Sequence, residues 1–263
     1  MKKLFMVLAA TVICGACLFT SCKKDEDLKI DEKIIGKWIT AENDGKAILT
    51  NEKVVLDFVS ATEAYESLSF QGADRPGTPW NDRQKDIVDI NGNDVTLTHS
   101  PEPGTTVIVD LHVERLTNSV MVAKRTVTVR KDGGLVRSDE DIVRCEKLNV
   151  DYRADILGTW QGHCTSEGSV FDDGEEHRWE YRADGNFVYY VKDGDNWVPS
   201  GNTLNEYFVA GTLLCTRWVD NGVENREWWE ITIDGDKMNW TALRQNPDGT
   251  TFTATFEMTK VVE

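Results

Sequence analysis

Basic residues are scarce in this chain: 29 Lys and Arg stand against 45 Asp and Glu, a formal charge of −16. An acidic surface repels phosphate backbones, and no basic stripe interrupts it, so nucleic acid is not expected as a partner. Attraction to anionic lipid heads is excluded on the same ground, so any membrane attachment has to be covalent. Histidine is scarcer still. His99, His112, His163 and His177 form no His-x-x-x-His pair, and none accompanies a serine in a nucleophile-elbow setting. No Cys-x-x-Cys or mixed Cys/His zinc spacing occurs beyond the first 22 residues. The densest acidic run, Asp172-Asp173-Gly174-Glu175-Glu176-His177, has the residue types for calcium or for acid–base work, but it reads as a solvated loop. Asp193-Gly194-Asp195-Asn196 lacks the other ligands of a calcium loop and reads as a hairpin turn. These absences predict a protein that is not an enzyme and needs neither metal nor cofactor. An amphipathic helix of useful length is missing too, which leaves an all-β chain.

What is present begins at the N-terminus, MKKLFMVLAATVICGACLFTSCKKDED. Lys2 and Lys3 precede an apolar run, Leu4 to Phe19, which ends in Thr20-Ser21-Cys22. This is the layout of a secretory signal peptide. The run is short for a bilayer core, which needs roughly 20 residues, and its Ala, Cys, Thr and Gly weaken insertion, so cleavage is favoured over an uncleaved span. The small residue before Cys22 resembles a bacterial lipobox, which implies a cysteine carrying fatty acyl chains such as palmitate. A cut before Cys17 would leave Leu18-Phe19 exposed, so Cys22 is the better site. Several acyl chains anchor stably, at about 0.8 kcal/mol per buried methylene. Lys23-Lys24-Asp25-Glu26-Asp27 then serves as a solvated tether, and it resembles the surface-export signal of Bacteroidetes lipoproteins. The expected address is the outer membrane, lipid-anchored and facing the cell exterior. Loss of Lys2 and Lys3 with the leader takes the formal charge from −16 to −18.

Of six cysteines, Cys14 and Cys17 leave with the leader and Cys22 takes lipid, so Cys145, Cys164 and Cys215 remain. Cys164 and Cys215 are the one candidate disulfide pair within one half of the chain; the alternative is buried thiols acting as small apolar groups.

The chain repeats itself. Ile34-Ile35-Gly36-Lys37-Trp38 recurs as Ile156-Leu157-Gly158-Thr159-Trp160, and the segment ending at Lys147-Leu148 matches the one ending at Lys260-Val261. Matching starts and finishes predict two tandem domains: a leader over 1–21, a lipidated tether over 22–32, a first domain over 33–149 and a second over 150–263. In the second, Trp179 and Tyr181, then Phe187, Tyr189 and Val191, then Trp229, Ile231 and Ile233, alternate with their neighbours at a period of two. That period marks half-buried antiparallel strands. Asp184-Gly185, Asp193-Gly194, Asn221-Gly222, Asp234-Gly235 and Asp248-Gly249 supply hairpin turns. Such a meander closes most simply into a small up-and-down barrel. In the first domain, Lys53–Val59, Asp86–Ile90, Asp94–His99, Val107–Val113 and Val120–Arg130 read as strands, and Thr62–Ser69 as a short helix or loop.

A Gly-x-Trp on the first strand of an antiparallel meander, here Gly36/Trp38 and Gly158/Trp160, resembles the lipocalin signature. The pairing of two such units behind a lipobox is similar to tandem lipocalin-like lipoproteins of the Bacteroidetes. The resemblance implies that each Trp plugs the closed end of its barrel while the Gly lets the strand bend. It also implies non-catalytic binding of a small hydrophobic or amphipathic molecule. Lys147 and Lys260 stand where the family caps its Trp with an arginine.

Trp160, Trp179, Trp197, Trp218, Trp228, Trp229 and Trp240 crowd the second domain, against Trp38 and Trp80 in the first. The strand faces read as inward place Trp179, Tyr181, Tyr189 and Trp240 as ligand-binding candidates, with the first domain as a spacer. Trp228 and Trp229 are adjacent on one strand and must point to opposite faces. One of them faces outward or into the joint between domains. Glu224-Asn225-Arg226-Glu227 reads as a strand edge. The alternatives are a glycan-binding module using outward aromatics, or an envelope interaction subunit with side-chain-filled barrels. A monomer is expected in each case.

Overall fold

The computed structural model describes residues 29–70, 79–166 and 174–262. The leader, Cys14, Cys17, Cys22 and the Asp172-Asp173 part of the acidic run lie outside the described residues. Two tandem antiparallel barrels account for nearly everything else.

In the first, β1 (Gly36–Asn43) pairs with β3 (Val54–Ser60), and the ladder then runs through β4 (Glu63–Ser69), β5 (Trp80–Asn91), β6 (Asp94–His99), β7 (Thr105–Leu116), β8 (Val120–Lys131) and β9 (Gly134–Leu148). β9 returns to β1 and closes the barrel, while β2 (Lys46–Ala47) is a short hairpin partner of β1. The second comprises β10 (Gly158–Cys164), β11 (His177–Tyr181), β12 (Phe187–Asp193), β13 (Asn196–Pro199), β14 (Thr203–Ala210), β15 (Leu213–Asp220), β16 (Val223–Asp234), β17 (Lys237–Gln245) and β18 (Thr251–Lys260). Its ladder starts at β13, passes through β12, β11, β10, β18, β17, β16 and β15, and stops at β14. It curls without a closing ladder, and the single bridge Asn186–Glu206 links its ends.

The two Gly-x-Trp units are superposable in detail. Trp38 and Trp160 are both completely buried, and their ring N–H groups donate to Ile34 O and Ile156 O at 2.6 and 2.7 Å. Trp38 stands opposite Lys147 in the β1–β9 register, and Trp160 opposite Lys260 in the β10–β18 register. Each lysine Nζ lies over its indole, at 5.0 and 5.1 Å from the ring centroid. The glycines explain why the lysines fit. Gly36 and Gly158 adopt φ of 120° and 113°, a region L side chains rarely enter, and a Cβ at Gly36 would meet Lys147 Cε at 2.8 Å. Burying an indole contributes about 4–6 kcal/mol of transfer free energy. In the first barrel the short helix α1 (Ile30–Lys33) seats Ile30, with Ile34 behind it, against this plug.

Several sequence expectations change. Thr62–Ser69 is strand β4 and not a helix or loop; Ala64 and Leu68 are buried in the barrel at period two. Cys164 and Cys215 form no disulfide, because they lie on opposite faces of the second sheet. Cys164 packs inside the barrel, and its thiol donates to Ser166 O at 3.4 Å, whereas Cys215 points out into the contact between barrels. Glu224–Glu227 is interior to β16 and pairs with β15 throughout.

That contact is a core in its own right. Ile39 and Val55 of the first barrel pack against Phe208, Ala210, Leu213 and Cys215 of the second. Trp80 meets Phe208 edge-on at 4.9 Å. Alternate residues of β16 all face the first barrel. Arg226 Nη1 donates to Phe70 O and Pro79 O, both at 2.9 Å, Trp228 Nε1 donates to Ser69 O at 2.7 Å, and Glu230 pairs with Lys53 at 2.7 Å. Trp228 is therefore the member of the Trp pair that faces the joint, and Trp229 fills the barrel.

Candidate functional site

The seam in the second barrel has a local cause. In the first barrel β4 pairs β5 directly, so the wall is continuous. In the second, the Asp193-Gly194 turn folds β13 back onto β12, from Tyr190–Pro199 to Asp193–Asn196. β13 thereby occupies the edge that would otherwise ladder to β14. The wall stays shut only at one end, where Tyr207 N donates to Gly185 O and Tyr207 Oη to Arg182 O.

Behind the seam lies a cavity of about 100 Å³. All four aromatic candidates line it: Trp179 and Tyr181 from β11, Tyr189 from β12 and Trp240 from β17. Trp229, Trp218 and Phe187 complete the apolar wall. The rings pack as a cluster, with Trp179 at 4.9 Å from Trp240 and 5.2 Å from Tyr189, and Trp240 at 5.3 Å from Trp229. Tilted and edge-on geometries of this kind suit the ring quadrupoles. Phe256 of β18 packs behind this wall, edge-on to Trp179.

Polar groups are few and convergent. Thr216, Asn202 and Glu227 reach the cavity. Glu227 accepts from Arg244, whose guanidinium lies 4.5 Å over the Trp229 ring. Burial holds the Glu227 carboxyl above its ordinary range, and Arg244 offsets only part of that. Tyr181 Oη and Trp240 Nε1 are buried with no hydrogen-bond partner among the described residues. Burial keeps the Tyr181 phenol far above its usual pKa, so it is a neutral donor at any physiological pH. Two buried donors without acceptors are costly, each about 1–3 kcal/mol. An acceptor at each, from ordered water or another molecule, would remove that cost.

Sequence reasoning missed Glu227, although its parity with Trp229 and Ile231 on β16 was the available signal. It also missed the inward charges of the first barrel, because β4 was not recognised. Among the described residues, no three His, Cys, Asp or Glu side chains are placed to hold a metal ion, and no helix is long and apolar enough to cross a membrane. No protein-family model matches the chain, and no curated protein does either.

Proposed function

We propose that this is a lipid-anchored, non-catalytic binding protein of the outer membrane. Its second barrel holds the apolar end of a small hydrophobic or amphipathic molecule. The observation that carries this reading is the meeting of Trp179, Tyr181, Tyr189 and Trp240 around one cavity that also holds two unpartnered buried donors. The volume sets the guest's size. An apolar cavity of about 150 Å³ accepts benzene; at about 100 Å³ this one takes only part of a ring or a short apolar group, and the rest of the guest lies in the open seam. An acceptor atom on the guest, such as a carbonyl or ether oxygen, satisfies Tyr181 or Trp240. Attachment rests on Cys22 and the residues around it, which belong to the sequence reading alone.

The test is tryptophan quenching and thermal shift of the full mature protein against lipids, sterols and single-ring aromatic compounds. A saturating response is expected, worth about 2.7 kcal/mol at 100 times Kd. A response to oligosaccharides alone would move the function to outward aromatics such as Trp197, which already stacks on Arg178 at 4.6 Å. For the anchor, a labelled fatty acid should mark the wild-type chain and not Cys22→Ala.

A further inference from the structure

The first barrel is not simply a spacer, because its interior carries a charged layer beside its apolar core. On three successive strands the inward alternation carries charge: Glu66 follows Ala64 on β4, Asp86 precedes Val88 on β5, and His99 follows Leu97 on β6. Ala64 pairs with Asp86 and Glu66 with Gln84, so the two carboxylates are diagonal neighbours across adjacent strands. His99 Nδ1 donates to Asp86 Oδ1 at 2.7 Å, with the Asp86 residue 1% and His99 8% exposed. Asp86 Oδ2 is buried and has no partner among the described residues. Among the described residues, the arginine turned toward this layer is Arg125, held by Asp141 through Nε at 2.9 Å and by Asn43 at 3.4 Å.

We propose that this layer is a binding site for a small organic cation, whose N–H groups donate to Asp86 Oδ2 and to the Glu66 carboxylate. The charges explain why. Arg125 pairs with Asp141 and His99 with Asp86, so among the described residues the Glu66 carboxylate has no counter-charge of its own. Without a cation the layer takes a proton instead. Burial and the Asp86 charge push Glu66 up to about 7, against smaller opposing effects of His99 and Arg125. An ammonium group substitutes for that proton and, unlike it, also reaches Asp86 Oδ2. A metal ion is a poorer match, since no three ligands converge there among the described residues.

Binding should therefore release a proton. Titration calorimetry of the full mature protein with methylammonium and butylammonium, in phosphate and in HEPES at pH 7, should give saturable heat. The buffer difference should report up to roughly half a proton released per cation bound, as expected for a group titrating near that pH. Affinity should fall below pH 7, and 1-butanol should give no saturable heat. Glu66→Gln should weaken binding by more than about tenfold and abolish the proton release. Asp86→Asn should weaken it comparably, and Asp94→Asn, which alters an exposed carboxylate on the outside of β6, should leave it unchanged. No saturable heat from either ammonium, equal binding of 1-butanol, or unchanged affinity in Glu66→Gln would overturn the proposal. Should both variants fail to fold, the wild-type buffer comparison decides, and binding without proton release counts against it.

Discussion

The two barrels are alike at one end and different at the other. At the plug, Trp38 and Trp160, with their glycines, lysines and carbonyl acceptors, agree to within 0.1 Å in the indole hydrogen bond and in the lysine–ring distance. Away from the plug the first barrel is a closed wall around a charged layer, and the second is an aromatic cavity behind a seam. The copies thus match at the buried indole that each barrel closes around. Their chemistry diverges where one extra hairpin, or one inward carboxylate, changes the interior without disturbing the plug.

The largest effect that can break this comparison lies at the plug. Trp38→Ala and Trp160→Ala should each cost about 3–5 kcal/mol, the usual price of emptying a large buried aromatic site. Urea unfolding followed by circular dichroism measures both. A loss below about 1 kcal/mol at one of them would show that the copies only look equivalent.

A second test asks whether the barrels act as one body. Arg226→Met removes donors to Phe70 O and Pro79 O while keeping much of the side-chain volume. The expected cost is about 2–3 kcal/mol, the scale for hydrogen bonds to a charged group. Unfolding should also separate into two transitions in calorimetry. An isolated second barrel would expose Phe208, Leu213 and Trp228 to water, so a single unshifted transition in Arg226→Met would mean that apolar contact alone couples the units.

Much of this was legible in the sequence, and the illegible part has a physical reason. Period-two alternation and Asx-Gly turns give the strands of the second barrel almost one for one, and the repeated Gly-x-Trp gives the plug. The four aromatic candidates, which line one cavity, were legible because their parity with apolar neighbours on β11, β12 and β17 reads as inward; Trp228 shows that an aromatic residue alone does not report the face. Glu66 and Asp86 were not, because an acidic residue at an inward position breaks the pattern that identifies the position. Arg226 was hidden likewise: its face is outward for its own barrel and buried only by the other one. The seam depends on β13 competing for an edge of β12, a tertiary choice that no local spacing records.

The two interiors also differ in how they respond to pH. Glu66 is held at about 7 against 4.5 when unperturbed. A carboxyl raised on folding favours the protonated folded state, so its contribution is full below about pH 4.5 and is lost as pH climbs through 7. For His99, burial disfavours the charged ring, but the Asp86 hydrogen bond and the Glu66 charge outweigh it, and the net shift is upward. Its contribution is present below its ordinary pKa of 6.5 and is lost as pH rises through the raised value, in the same direction. Glu66→Gln should therefore gain about 1–2 kcal/mol over wild type at pH 8, discounted for partial solvent access, and show no difference near pH 4. Denaturant midpoints at the two pH values check it. A gain of equal size at both would assign the effect to packing rather than to the buried charge.

The smallest expected effect separates structure from binding most cleanly. Tyr181 and Tyr207 pack edge-on at 4.9 Å in the same wall of the second barrel. Tyr207 Oη donates to Arg182 O at 2.7 Å, while Tyr181 Oη donates to nothing among the described residues. Tyr207→Phe removes a made hydrogen bond and should cost about 1 kcal/mol. Tyr181→Phe removes a donor that the protein itself leaves unmet, so its stability should change by less than about 0.5 kcal/mol or rise slightly. Its ligand response should nonetheless weaken, because the hydroxyl is the group an acceptor on the guest would meet. Thermal unfolding with and without a responding compound reads both quantities from one sample. If Tyr181→Phe is destabilised as much as Tyr207→Phe, the hydroxyl is engaged through bound water and belongs to the fold. If it is neutral and the ligand shift is undiminished, the guest lies against the indoles of Trp179 and Trp240 alone.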